Sequence, residues 1–225
     1  MIFLWIILYG LIHTALSRLG GIGSWVRAFS VLIYSVLLMQ WTFRRKHLPK
    51  ARVIPQCPRD WIVLAALAVM PLCNILTGRQ RVLNGSDIVF MLGVCITEEL
   101  FFREHLLSFL RKKNDFFGVM GTGVVFAVLH LGNGLQNAEM QYVLIQTFCA
   151  FFVSVLYCAV VIRFHNLAPC MVAHFFTNLS GAGAIETIIE AMILCICAVI
   201  CGVCGIWSFL ENGNTQRGQF DAAVY

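Results

Sequence analysis

Apolar stretches long enough to cross a bilayer follow one another along almost the whole chain, and that succession constrains the fold more than any other feature. A hydrocarbon core about 30 Å thick takes roughly 20 apolar residues per helix, and within it every backbone polar group has to be satisfied internally. Windows bounded by charged or turn residues fall at 1 to 17, 26 to 43, 60 to 77, 87 to 110, 116 to 131, 141 to 162, 166 to 183 and 185 to 210. They predict an all-α, polytopic transmembrane helical bundle of about eight spans. The chain has 225 residues, 60% hydrophobic and 12% charged, whereas soluble domains carry about 25% charge. Residues 1–225 therefore read as a single integral-membrane domain, closed by a short polar tail at 212–225. The first window has neither a basic lead-in nor a small-residue cleavage site, so it reads as a retained helix.

Charge sets the expected orientation. The formal net charge is +5, and most of it lies between apolar windows. That placement reads as topology and not as a nucleic-acid surface. The loop from 44 to 59 carries Arg44, Arg45, Lys46, Lys50, Arg52 and Arg59, and the loop after the fourth window carries Arg111, Lys112 and Lys113. With Arg163 and Arg217 they make eleven basic residues on one side, against Arg18, Arg27, Arg79 and Arg81 on the other. The positive-inside rule puts the richer side, and with it both termini, in the cytoplasm. Ten cysteines are present, nine of them inside apolar stretches. They read as soft packing residues and not as a disulfide framework. The CxxC spacing at Cys201 and Cys204 has no histidine or polar partner nearby that would favour a metal.

Ionisable groups inside a membrane helix are costly and mark a functional site by default. The fourth window concentrates them: Glu98, Glu99, Arg103, Glu104 and His105 fall within eight residues. At 100° per residue Glu99 and Arg103 share a face, which predicts an ion pair, while Glu98 falls on the face of Phe102 and His105 and is aimed at a different wall. The fifth window ends on His130. The seventh carries His174 and Asn178, four apart and on one face, behind Asn166 as a cap and Pro169 in the first turn. His105, Glu104 and His165 are expected at the membrane interface. A carboxylate, two imidazoles, an amide and a buried cation supply what hydrolysis needs: a base for water, donors for a carbonyl oxygen, and a group that orders the base. The same glutamate and histidines also suit zinc, although HExxH is absent. A structural reading, with ion pairs and polar side chains holding helices together, stands beside both.

The order Glu98-Glu99-x-x-x-Arg103, then Phe126-x-x-x-His130, then His174-x-x-x-Asn178 resembles the CAAX-protease and bacteriocin-processing (CPBP, or Abi) family of intramembrane endopeptidases, to which the Ras-converting CAAX endopeptidases belong. The likeness covers about 87–183, which makes that stretch the expected catalytic core. It implies a peptidase in which Glu98 and His130 activate a water, His174 and Asn178 form the oxyanion site, and Glu99 and Arg103 support Glu98. Family members are often described as metalloproteases, while the glutamate-plus-histidine scheme needs no metal, so the resemblance implies no obligatory cofactor. The implied partners are membrane lipid and an apolar or lipidated peptide or protein, with no nucleic acid. The short loops and the lack of an extra domain are similar to the bacterial members, which implies a bacterial cell membrane. Two other classes remain: a non-catalytic membrane protein for immunity or peptide sensing on the same scaffold, and a small proton-coupled transporter, against which the lack of an inverted repeat counts.

Overall fold

A computed structural model of the chain describes residues 23–45, 55–78, 82–132, 139–181 and 185–224. Among the described residues every regular element is a helix: α1 (Gly23–Arg45), α2 (Pro58–Ala66), α3 (Val69–Leu76), α4 (Gly85–Glu99), a π-helical segment (Leu100–Leu106), α5 (Leu107–Leu110), α6 (Asp115–His130), α7 (Met140–Phe164), α8 (Ala168–Ser180) and α9 (Ile188–Val224). The first expected span, 1 to 17, lies outside the described residues.

Among the described residues three helices are long and apolar enough to cross a membrane, at Ser24–Arg44, Met140–Phe164 and Ile188–Glu211. The window at 60 to 77 is two helices, α2 and α3, bent by 43°. Pro71 accounts for the break, since it has no N–H to donate to Leu67, where α2 gives way. The bent pair counts as a fourth candidate span. The windows at 116 to 131 and 166 to 183 hold the shorter helices α6 and α8, of 16 and 13 residues. The window at 87 to 110 is helical throughout but carries the charged cluster. An all-helical bundle is thus present, with three to four spans by length and composition where the sequence predicts about eight. The segment from 212 onward, expected as a tail, continues α9 as helix to Val224.

Helix α7 is the axis of the bundle. Val155, Leu156, Tyr157, Cys158, Ala159 and Val160 are buried in succession, as in a helix apolar all round. It packs on α9 and α6. At Gly205 of α9 a Cβ would lie 2.7 Å from the Leu156 Cα, so the absent side chain is what lets the two backbones meet. Helix α1 packs on α4, and a Cβ at Gly93 would lie 2.9 Å from the Leu32 backbone nitrogen.

At one end of the bundle the start of α2, the end of α7 and the outer part of α9 are tied by charge. Arg163 Nε donates to Asp60 Oδ1 at 2.6 Å, Arg163 Nη1 lies 3.6 Å from Glu211 Oε2, and Arg59 pairs with Glu211. All ten cysteines are free thiols; Cys57 is the N-cap of α2 and Cys201 donates to Ala66 O.

Candidate active site

Helices α6 and α8 bring His130, His174 and Asn178 to the wall of one cavity of about 340 Å³, and the α4 glutamates, which do not line it, reach the site through His174. The site is built outward from His174, midway along α8. The N-cap is Leu167 and not Asn166 as expected, but Asn166 Oδ1 accepts from Ala168 N at 3.0 Å, and Pro169 sits in the first turn as expected. His174 Nδ1 lies 2.8 Å from Glu99 Oε1. Since the carboxylate can only accept, Nδ1 carries a proton, and the other ring nitrogen, Nε2, faces Glu98. On that side Glu98 Oε2 lies 3.7 Å away. One imidazole thus stands between two successive glutamates.

The two carboxylates differ in burial. Glu99 is 0% exposed and is held by Arg103, also 0% exposed, whose Nε lies 3.2 Å from Glu99 Oε2, the pairing that the i, i+4 spacing predicts. That contact is an ion pair without hydrogen-bond alignment. Arg103 Nη2 donates to Ser154 Oγ on α7 at 3.2 Å. Its Nη1 has no hydrogen-bond partner among the described residues. Instead the guanidinium carbon stands 4.5 Å from the centroid of Phe126 and 5.3 Å from that of Tyr157, where the ring quadrupoles favour a cation. Glu98 keeps 24% of its side chain exposed. The expectation that Glu98 is aimed at a different wall from Glu99 is therefore corrected: a ring with a nitrogen on each edge spans the 100° between neighbouring side chains, and both reach His174.

His130, the last residue of α6, turns Nδ1 back to Phe126 O at 2.8 Å. That fixes its tautomer in the same sense and leaves Nε2 as its acceptor. Its ring meets Phe126 edge to face at 4.7 Å. Asn178 donates from Nδ2 to the thiol sulfur of Cys95 at 3.4 Å, so α4 holds α8 one turn beyond His174. Among the described residues no three His, Cys, Asp or Glu side chains converge closely enough to hold a metal ion. In particular, His130 does not join Glu98 and His174 in such a group.

His105, expected at the interface, is only 9% exposed. The α-helical wheel ends at Glu99: Leu107 N–H donates to Phe102 O, five residues back. The wider turn carries His105 against α1, where its Nε2 lies 3.0 Å from Thr42 Oγ1. His165 is exposed and closes α7 in the left-handed conformation at φ 51°.

Sequence reasoning passed over three polar residues that complete the site. Ser154 and Tyr157 face Arg103 from α7. Asn74 of α3, 2% exposed, lines the cavity and donates Nδ2 to Thr177 O at 3.1 Å, beside Asn178. The available signal was the one used elsewhere, a polar side chain within an apolar run.

No curated protein and no solved structure gives a significant match to this chain. A scan against family models matches residues 85–180 to one described as type II CAAX prenyl endopeptidase Rce1-like. That stretch begins with α4 and ends with α8, so it contains all three polar strings. Residues 85–180 thus match a model of the CAAX-protease family that the order of the motifs resembles.

Proposed function

We propose that this chain is an intramembrane endopeptidase that hydrolyses a peptide bond in a membrane-associated, apolar or lipidated peptide or protein. The observation that carries the reading is the division of labour between adjacent glutamates: Glu99 is sealed by Arg103 and His174, while Glu98 stays 24% exposed beside the same histidine. The match of residues 85–180 to a protease-family model supports it. In this reading Glu98 takes the proton of the attacking water, with His130 Nε2 as the second acceptor that orients that water. The tetrahedral oxyanion is met by Asn178 Nδ2 and by His174 Nε2–H, so His174 works as an imidazolium, its Nδ1–H kept on Glu99.

Charge balance favours that state. With Glu98 and Glu99 ionised, Arg103 and a protonated His174 bring the cluster to zero, and a buried cluster without net charge avoids the heaviest desolvation cost. The same balance holds when Glu98 has taken the water's proton and the oxyanion carries the charge. Glu98 then returns the proton to the leaving amine. No step requires a metal. The remaining windows complete a multi-pass integral membrane protein of about eight spans, in a bacterial cell membrane with both termini cytoplasmic.

The test is comparative mass spectrometry of small peptides and membrane-protein termini from cells expressing the native chain or Glu98→Gln at equal levels. The amide can still hydrogen-bond but cannot act as a base. A product made only by the native chain is the expected result. Identical profiles with an unchanged phenotype would favour a binding or immunity protein on this scaffold.

A further inference from the structure

The cavity reaches from one end of the bundle to about its mid-height, where Phe126, Val153, Tyr157 and His174 line it. Its wall is drawn from the early turns of α4 (Phe90, Val94), the last residue of α6 (His130), the first turns of α7 (Tyr142, Ile145) and the last turn of α8 (Asn178). Gly181 and Ile185, just beyond α8, also line it. These positions share one end because successive long elements alternate in direction. The charged tie of Asp60, Arg163 and Glu211 marks the opposite end, where α2 begins and α7 finishes. Contacts along α1 and α4 fix the same polarity: Gly85 lies against Trp25 at the cavity end, and His105 meets Thr42 toward the other.

Basic residues are distributed against that axis. Among the described residues, Arg44, Arg45, Arg59, Arg111, Lys112, Lys113 and Arg163 lie toward the end away from the cavity, and Arg27, over the Phe90 ring, lies toward the cavity end. An excess of Lys and Arg in short loops identifies the cytoplasmic side. We infer that the cavity faces the non-cytoplasmic side of the membrane and takes apolar peptide segments presented from that side, either exported chains or membrane proteins with a segment exposed there. What passes through the cavity rests on the peptidase reading; the side on which it lies does not.

Cysteine labelling of the full chain with a membrane-impermeant maleimide separates the two. Thr187→Cys places an exposed thiol at the cavity end and Gln56→Cys one at the opposite end, each read above the signal of the native chain. Thr187→Cys is expected to label in right-side-out membrane vesicles and Gln56→Cys in inverted ones. The reverse pattern, or equal labelling of either variant in both preparations, overturns the inference. In the comparison of native and Glu98→Gln cells, the cleaved bonds are expected to map to non-cytoplasmic segments. Bonds that map to cytoplasmic segments would uphold the peptidase and overturn its sidedness, whereas the expected labelling without any cleavage product would do the opposite.

Discussion

Glu99 and Arg103 are the residues most committed to the site's architecture, since neither retains any exposure and each is the other's countercharge. Removing one member of such a pair strands the other, at a cost of about 3–5 kcal/mol. Arg103→Ala is therefore expected to lower stability in detergent by that amount, read as a drop in thermal midpoint. The joint change Glu99→Leu with Arg103→Met is expected to cost much less while still abolishing cleavage, because His174 loses the acceptor for Nδ1. An additive double variant would show that the two do not form a buried pair. Glu99, Arg103, His174 and Asn178 were legible in the sequence because charge and amide groups stand out against lipid-compatible neighbours. Ser154 and Tyr157 were less so: one hydroxyl costs little in an apolar helix, and their partner, Arg103, is fifty residues away.

Among the elements, α1, α7 and the apolar part of α9 were readable to within a few residues, since each is a single apolar run whose length alone requires a helix. The π-helical segment was not. No proline or glycine marks Leu100–Leu106, and the wider turn arises where Arg103 and His105 are drawn to partners on α7 and α1. Wider turns of this kind often accompany functional sites. Across it a wheel at 100° per residue still brings Arg103 to Glu99, but it does not anticipate that His105 is buried against α1. The α1–α4 contact offers a separate test. Gly93→Val adds branched carbons where the Leu32 backbone already lies 2.9 Å from an ideal Cβ, and overpacking of that kind costs about 1–3 kcal/mol. The expected result is a lower unfolding midpoint with the cleavage pattern unchanged. A neutral outcome would mean that the helices are further apart.

At the scale of the whole molecule, an apolar bundle keeps a polar cluster at mid-height, opens a cavity on one side of it and ties α2, α7 and α9 by charge at the other end. The count of basic residues and the direction of the helices describe the same axis, so sidedness and chemistry are two aspects of one arrangement. Asn178→Ala is expected to lower turnover by about 10²–10³ with KM nearly constant, as loss of an oxyanion donor does, and a change confined to KM would make Asn178 a binding residue instead. The most direct test is the cleavage rate of the purified chain, reconstituted in lipid vesicles, on the peptide identified from cells. Native protein is compared with Glu98→Gln under single-turnover conditions. The predicted result is a loss of about 10²–10⁴, the range for removal of a general base, with the folded fraction and substrate binding retained. Native-like cleavage by Glu98→Gln would contradict the assignment of Glu98 as the base and, with it, the account of the site.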